Sequence, residues 1–246
     1  MTPRIHVPQL LQQHARIALD DHERHRLLRT LRLHVGDAII LFNGDSGAWQ
    51  ARIVETGPPL QVELVARIPD ARDAALAVTL ILGLTKSGAI ELAVQKAVEC
   101  GVARLIPLLT RYGVSRPDAR QSENKSRRLQ RIVIEAAQQC GRTRVPEILE
   151  PATWHDLPGL LDPGPRLLFW EEAEDVQAVR LRTLPHPGAA VTLLIGPEGG
   201  LTAEEVTHAQ EQMGFVTVSL GPRILRAETA AMVTVAACQL LWGDMG

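Results

Sequence analysis

The sequence predicts an α/β protein. Its C-terminal part, residues 75–246, should contain a mainly parallel sheet, and its first 70 residues should form a smaller, mainly β unit. Two observations support this prediction. Predicted strands alternate with predicted helices throughout the C-terminal part, which is the pattern of a parallel sheet covered by helices. The spacing of the hydrophobic residues also changes after PDARDAA, residues 69–75, which we interpret as a linker.

The first unit combines one helix with short strands. In DDHERHRLLRTLRL, Asp20 or Asp21 is a suitable N-cap, and three leucines share one helical face, Leu27, Leu28 and Leu31. DAIILF, AWQARIV and QVELVARI follow as predicted strands, and NGDSG joins the first two in a hairpin. This length of chain is enough for a compact barrel but not for a large sheet.

The C-terminal part begins with LAVTLILGL, residues 76–84, an apolar run typical of a strand that is covered on both faces. GAIELAVQKAVECG and residues 122–140 are predicted helices that end at a glycine. The further predicted strands are ARLIPLL, RLLFW, VTLLIG and FVTVSLG. Residues 202–213 and 228–242 complete the chain as predicted helices.

Charge is uneven along the chain although the net charge is only -2. The segment from Arg111 to Arg144 contains nine basic and three acidic residues. A second basic cluster lies near the N-terminus and consists of Arg24, Arg26, Arg29 and Arg32. Such patches attract phosphate groups even when the whole molecule is nearly neutral. The alternative interpretation is that part of this arginine belongs to solvated helix faces.

Several classes of protein are disfavoured. No apolar run approaches the roughly 20 residues that cross a bilayer. Arg4 and His6 stand where a signal peptide has its apolar core, so we expect a cytoplasmic protein without a membrane partner. The three cysteines are distant from one another and form no CxxC pattern, and the histidines form no HExxH pattern. We therefore expect neither disulfides nor a metal.

A glycine-rich turn follows a buried strand in LLIGPEGGLTAEEV, residues 193–206. Glycines between a strand and a helix allow a ligand to approach the backbone. The turn is neither a P-loop nor a GxGxxG motif. Thr202 and Glu205 fit a capping box, which alone would explain the start of the helix, so a tight turn without a ligand is the alternative.

A second irregular loop, LGPRILRAETAAM, residues 220–232, also connects a predicted strand to a helix. Open α/β sheets bind ligands at two such loops, where parallel strands end. The second loop carries Arg223, Arg226 and Glu228 among apolar neighbours, and charges in such a setting tend to be paired or functional. A purely structural ion pair between Arg226 and Glu228 is the alternative.

LLIGPEGGLT and LGPRILRAETA together resemble the signature of the RsmE family. These ribosomal RNA methyltransferases modify N3 of a uridine in 16S RNA of the small subunit and belong to the trefoil-knotted SPOUT superfamily. RHRLLRTLRLHVGD, QKAVECGV and EAAQQCGRTRVPEI resemble its weaker motifs in the same order, so the resemblance covers nearly the whole chain. The sequence departs from the family in KSGAIELAVQK, which lacks its Gly-Asp and aromatic residues, and at Thr30, where a valine is usual.

The resemblance implies a PUA-like RNA-binding barrel in residues 1–70, a knotted SPOUT domain in residues 75–246 and a homodimer. It also implies that S-adenosylmethionine lies bent between the two loops, held mostly by backbone groups. The implied cofactor-binding residues are Leu194, Ile195, Gly196, Pro197, Gly199, Gly200, Leu220, Gly221, Ile224, Leu225, Thr229 and Ala230.

For catalysis we expect Arg226 to stabilise negative charge on the uracil ring, and Glu198 or Glu228 to orient the base or accept its proton. Glu198 could instead only anchor the knot. The expected partner is the assembled small ribosomal subunit, with phosphate contacts from Arg4, Arg26, Arg29, Arg32, Arg142 and Arg144. Two alternatives stay open: a knotted methyltransferase acting on tRNA or another ribosomal position, and a non-catalytic RNA-binding module.

Overall fold

The computed structural model describes residues 2–45, 47–69, 73–84, 88–113, 119–170 and 178–246, with the side chains of residues 119–122 left out. The chain forms two compact units. The first comprises Met1–Asp73 with Ala137–Val145, and the second comprises Ala74–Ala136 with Pro146–Gly246. The segment 137–145 thus packs with the first unit, whereas the sequence analysis assigned it to the C-terminal domain. The domain bounds 1–70 and 75–246 otherwise stay a prediction.

The first unit contains a five-stranded sheet in the order β1-β3-β4-β5-β2. The strands are β1 Arg4–His6, β2 Arg16–Leu19, β3 Ala38–Phe42, β4 Ala48–Glu55 and β5 Leu60–Ile68. The pairs are antiparallel except for β1 with β3. The three strands that the sequence predicts are confirmed as β3, β4 and β5. β1 and β2 were missed because each has only three or four residues.

One helix packs against this sheet. Helix α1, Asp21–His25, begins at Asp20, whose side chain accepts a hydrogen bond from the Glu23 N–H over 2.8 Å. It continues as a π-helical turn, Arg26–Thr30. The predicted helix is therefore confirmed, but the expectation for Leu31 is wrong. The helix ends at Thr30, so Leu31 lies outside it and is 41% exposed, while Leu27 is fully buried among the strands.

The second unit contains a seven-stranded sheet in the order β10-β12-β9-β11-β6-β7-β8, and its strand pairs are parallel throughout the described residues. The predicted α/β class with a mainly parallel sheet is confirmed. The strands are β6 Ala77–Gly83, β7 Val102–Leu108, β8 Glu147–Ile148, β9 Arg166–Phe169, β10 Val179–Arg180, β11 Ala190–Ile195 and β12 Val216–Ser219.

Among the described residues, four α-helices accompany this sheet: α2 Ala89–Glu99, α3 Ala119–Cys140, α4 Ala203–Met213 and α5 Ala227–Trp242. Each lies where the sequence predicts a helix. Apolar residues of α4 join a buried cluster with the strand residues Ile81, Leu168 and Leu194. Strand β6 is buried from Val78 to Gly83, as expected for a strand covered on both faces.

The C-terminal helix is tied to the beginning of the second unit. α5 packs against α2 and contacts β6 and β11. Gln239 is fully buried, and its Nε2 donates hydrogen bonds to the carbonyl oxygens of Leu76 and Gly101, each over 3.2 Å. Gln239 therefore joins α5 to the start of β6 and to the turn after α2.

The cysteines form no disulfide with one another. Cys238 is fully buried, and burial raises the pKa of its thiol to about 12, so this thiol is protonated at neutral pH. No helix in the described part of the chain is long and apolar enough to cross a membrane. The described residues also contain no group of three side chains arranged to ligate a metal ion.

Candidate active site

A cavity of about 250 Å³ opens where β9, β11 and β12 end. These strands are neighbours in the sheet, and Phe169 pairs with Ile195 on one side and with Val218 on the other. The loops that follow them therefore meet at one edge of the sheet. The cavity is lined by Phe169, Trp170, Ile195, Gly196, Pro197, Glu198, Val218, Ser219, Leu220, Gly221, Pro222, Arg223, Ile224, Leu225, Arg226, Ala227 and Ala230.

The loop after β11, residues 196–201, is called here the glycine turn. Gly200 has φ +73° and donates its N–H to the carbonyl oxygen of Pro197 over 2.9 Å, which closes the turn. A Cβ on Gly199 would lie 2.9 Å from Cβ of Tyr112, and a Cβ on Gly83, at the end of β6, would lie 2.5 Å from the Pro197 nitrogen. The glycines are thus required by the packing of the protein itself.

Glu205 fixes the far end of the glycine turn. Its carboxylate accepts the N–H of Thr202 over 2.9 Å, and the Thr202 hydroxyl accepts the Glu205 N–H over 3.2 Å, so the predicted capping box is confirmed. The same carboxylate accepts the backbone N–H of Arg111 and the indole N–H of Trp154, over 2.9 and 3.0 Å. One side chain therefore joins α4 to two other loops.

The loop after β12, residues 220–226, is called here the arginine loop. Its arginines are exposed, and Ile224 is 82% exposed. Arg226 is the N-cap of α5 but makes no side-chain capping bond. Glu228 lies in the first turn of α5, and its Oε2 is buried without a hydrogen-bond partner among the described residues. Within the described part of the chain no ion pair joins Arg226 to Glu228, so nothing supports a purely structural pair.

The structure brings most of the predicted site residues together. The lining includes ten of them, Ile195, Gly196, Pro197, Glu198, Leu220, Gly221, Ile224, Leu225, Arg226 and Ala230. Five lie outside it, Leu194, Gly199, Gly200, Glu228 and Thr229. Leu194 is fully buried and belongs to the core cluster beneath α4. These five roles stay predictions.

Sequence reasoning missed the contribution of β9. Phe169 and Trp170 line the cavity although they lie more than 25 residues before the glycine turn. The signal was present, because RLLFW was predicted as a strand and the carboxyl end of every parallel strand reaches the same edge. The position of β9 between β11 and β12 in the sheet could not be read from the sequence.

The six predicted phosphate contacts all lie in the first unit but have different surroundings. Arg142 is only 6% exposed, and its Nε lies 3.4 Å from an Asp73 carboxylate oxygen. Arg4 donates to the Arg142 carbonyl oxygen over 2.9 Å and lies over the Phe42 ring. These two arginines thus hold the segment 137–145 against the strands.

The remaining arginines are more accessible. Arg26 pairs with Glu23 over 3.1 Å; burial raises the pKa of the Glu23 carboxyl, and the Arg26 charge partly opposes that rise. Arg29, Arg32 and Arg144 are exposed. Arg29 also lines a surface groove of about 430 Å³, together with Arg24, His25, Leu28, Leu33, His34, Val35 and Thr56.

Comparison with protein families defines the class of the chain. The family model of an RNA methyltransferase domain matches residues 72–239, and that of an RNA methyltransferase PUA domain matches residues 19–65. The chain is thus built as an RNA methyltransferase domain preceded by a PUA domain.

Curated relatives narrow this class. Ribosomal RNA small subunit methyltransferase E of Rickettsia conorii is 33% identical over 241 residues, which cover 97% of this chain and 95% of that protein. The Bacillus subtilis protein of the same name is 29% identical over 247 residues, with 96% of each chain covered. The chain belongs to the ribosomal RNA small subunit methyltransferase E family, as its resemblance to RsmE indicated.

Solved structures share the whole fold. That of ribosomal RNA small subunit methyltransferase E from Neisseria gonorrhoeae bound to S-adenosylmethionine has a TM-score of 0.90 at 30% identity, with 100% of both chains covered. A methyltransferase structure from Legionella pneumophila with the same bound cofactor has a TM-score of 0.91 at 29% identity, with 99% of both chains covered. The predicted two-part architecture is therefore confirmed.

Replacing Glu205 with alanine should lower the stability of the second unit by about 2 to 4 kcal/mol, because the capping bond and two further hydrogen bonds to a carboxylate are lost together. Urea denaturation followed by tryptophan fluorescence measures this. The matched control is Glu211→Ala, an exposed glutamate on the same helix, which should change stability by less than about 0.5 kcal/mol. If the two substitutions lowered stability equally, the proposed role of Glu205 in connecting α4 to the two loops would be wrong.

Proposed function

We propose that the protein transfers a methyl group from S-adenosylmethionine to N3 of a uridine in 16S RNA, with the assembled small ribosomal subunit as substrate. The observation that carries this proposal is the cavity between the glycine turn and the arginine loop, which combines glycines, apolar side chains and an exposed arginine. Relatives of the same domain order are named small-subunit methyltransferases, and two solved neighbours hold S-adenosylmethionine. With this substrate, we propose that the protein acts in the cytoplasm.

The lining of the cavity fits this cofactor. Ile195, Leu225 and Ala230 provide apolar surface for an adenine ring, and the backbone of Gly196 and Gly221 approaches the cavity without a side chain in between. Polar ends of a ligand can be held by backbone groups at such loops. When bound, the cofactor supplies an electrophilic methyl group on a positively charged sulfur.

The reaction sets two tasks for the protein. An N–C bond forms at uridine N3 while the S–C bond breaks, and the N3 proton has to leave, so the ring carries negative charge on the way to the product. Arg226 lies at the cavity with an exposed guanidinium that can stabilise charge on a uracil carbonyl oxygen. No thiolate is required, in agreement with the protonated thiol of Cys238.

Glu198 is favoured over Glu228 as the carboxylate that contacts the base. Glu198 lines the cavity and is exposed, whereas Glu228 lies outside the lining with one oxygen fully buried. We propose that Glu198 orients the uracil or accepts its proton. For Glu228 we propose a supporting role at the start of α5, where a negative charge is favourable.

RNA binding is proposed for the exposed arginines of the first unit. Arg29, Arg32 and Arg144 have side chains that reach solvent, so they can approach phosphates. The charges of Arg26 and Arg142 are already balanced by Glu23 and Asp73. Phosphate contacts of this kind position a substrate without reading its sequence.

A homodimer is supported by the outer face of α5. Three pairs of adjacent apolar residues, repeated every four positions, are exposed or only partly buried: Met232 and Val233, Ala236 and Ala237, and Leu240 and Leu241. A continuous apolar stripe on a helix favours contact with a second copy, in which the same face meets itself. Sedimentation velocity at micromolar concentration tests this proposal, and a species with the mass of a monomer would refute the dimer.

The path of the chain supports a proposed trefoil knot. β12 lies beside β9, toward the outer end of the sheet, whereas the next element, α5, contacts β11 and β6. The chain therefore crosses back past the end of β9. If the chain between β12 and α5 passes through the connection that follows β9, this crossing is a knot. Residues 171–177 of that connection lie outside the described residues. Ordinary topology rules give no expectation of such threading.

Incubation with labelled S-adenosylmethionine and small ribosomal subunits that lack their native modification tests the proposed activity. We expect label in 3-methyluridine, identified by mass spectrometry of the digested RNA, and less label on deproteinised 16S RNA. Label in a different nucleoside would overturn the N3 assignment. Label that enters tRNA instead of the subunit would favour another knotted methyltransferase.

Arg226→Ala should lower kcat by about 100-fold to about 1000-fold, the typical loss when one charge-stabilising donor is removed. Binding of S-adenosylhomocysteine, measured by calorimetry, should stay within about twofold of the unmodified protein. Arg182→Ala, an exposed arginine outside the cavity, is the control and should keep full activity. A nearly normal rate for Arg226→Ala would refute its role in transfer.

A triple variant of Arg29, Arg32 and Arg144, each changed to alanine, should bind ribosomal RNA more weakly. The slope of log affinity against log salt should also fall by about 2 to 3, since each phosphate contact contributes about 0.7 to 0.9. Filter binding over a range of salt concentrations measures both. An unchanged slope would show that these arginines do not meet phosphates.

A further inference from the structure

An exposed aromatic residue lies beside the glycine turn, on a loop that the proposed mechanism does not use. Tyr112 follows β7, whose carboxyl end reaches the same edge of the sheet as the ends of β11 and β12. It is the only tyrosine of the chain and is 55% exposed. A side chain that fills the core would be buried, so packing alone does not account for Tyr112.

The loop that carries Tyr112 is held in place by hydrogen bonds on both sides. The N–H of Leu109 donates to the Ala152 carbonyl oxygen over 2.9 Å, and that of Arg111 donates to Glu205 over 2.9 Å. Gly113 donates to the Thr110 carbonyl oxygen over 3.2 Å, closing a turn around Tyr112. The backbone under the ring is therefore fixed before any ligand arrives.

Tyr112 touches the glycine turn directly. A Cβ added at Gly199 would lie 2.9 Å from Cβ of Tyr112 and 3.7 Å from its Cγ. The preceding residue, Glu198, lines the cavity on the other side. Tyr112 therefore contacts the residue that directly follows the glutamate that we assign to the base.

We propose that Tyr112 is a substrate-binding residue whose ring stacks on the target pyrimidine when that base leaves the RNA stack. This inference rests on the proposed function. A base that enters an enzyme cavity loses stacking with its neighbours, and an aromatic side chain at the entrance replaces that stacking. Because every base has a π face, Tyr112 adds affinity for the extruded base, and the choice of uridine is left to the cavity.

Two other aromatic residues near the cavity are less suited to this role. Phe169 is only 6% exposed, and the indole nitrogen of Trp170 is buried without a hydrogen-bond partner among the described residues. Both belong to the lining of the cavity itself. Tyr112 therefore has the most accessible ring beside the site in the part of the chain that the structure describes.

The test compares four substitutions in the full-length protein, Tyr112→Phe, Tyr112→Trp, Tyr112→Leu and Tyr112→Ala, with small ribosomal subunits as substrate. The aromatic replacements should keep kcat/KM within about threefold. Loss of base stacking in the leucine and alanine variants should lower kcat/KM by about tenfold to about 100-fold, mainly through a higher KM for the subunit. Leucine retains apolar area without a π face, so it separates stacking from packing.

Three further measurements exclude structural explanations. The affinity for S-adenosylhomocysteine, the thermal unfolding midpoint and the sedimentation coefficient should match those of the unmodified protein in all four variants. Full activity of the leucine variant would overturn the inference, and so would a loss of cofactor affinity or of dimerisation. An unmodified protein that binds the cofactor but methylates no small subunit would instead refute the proposed function, and this inference with it.

Discussion

The close contact between Gly83 and Pro197 constrains the rest of the site. A side chain at Gly83 would place its Cβ 2.5 Å from the Pro197 nitrogen, so the glycine turn can lie across the end of β6 only because that strand ends in glycine. The turn also lies against Tyr112, and Glu205 holds its far end through Thr202. The space that this leaves between the glycine turn and the arginine loop is the cavity. One steric requirement at a strand end thus determines where a ligand can enter.

Much of the second unit could be predicted from the sequence because its signals are local. Buried strands are continuous apolar runs, helices begin at residues such as Thr202, and glycines mark the turns. Both loops of the site were found in this way. The order of the strands is not a local property. β9 lies between β11 and β12 in space although it precedes both in the chain, so Phe169 and Trp170 could not be assigned to the site.

The first unit shows a different limit of prediction from the sequence. A count of charges identifies basic clusters but not the partners of individual arginines. Arg142 is paired with Asp73, which lies 69 residues earlier in the chain. The backbone carbonyl oxygen of Arg142 accepts a hydrogen bond from the Arg4 side chain. The segment 137–145 belongs to the first unit for the same reason. Leu31 was misplaced because a π-helical turn, which has no signature in hydrophobic spacing, precedes it.

The position of Gln239 has a consequence for how the protein is made. Its amide group bridges the start of β6 and the turn after α2, although it lies 163 and 138 residues after the two carbonyl groups that it binds. A nascent chain therefore exposes the carbonyl groups of Leu76 and Gly101 and the apolar surface under α5 until α5 itself has been synthesised. The first unit is complete after residue 145, so the two units finish folding at different times during translation. The second unit can acquire its final structure only after α5 has left the ribosome.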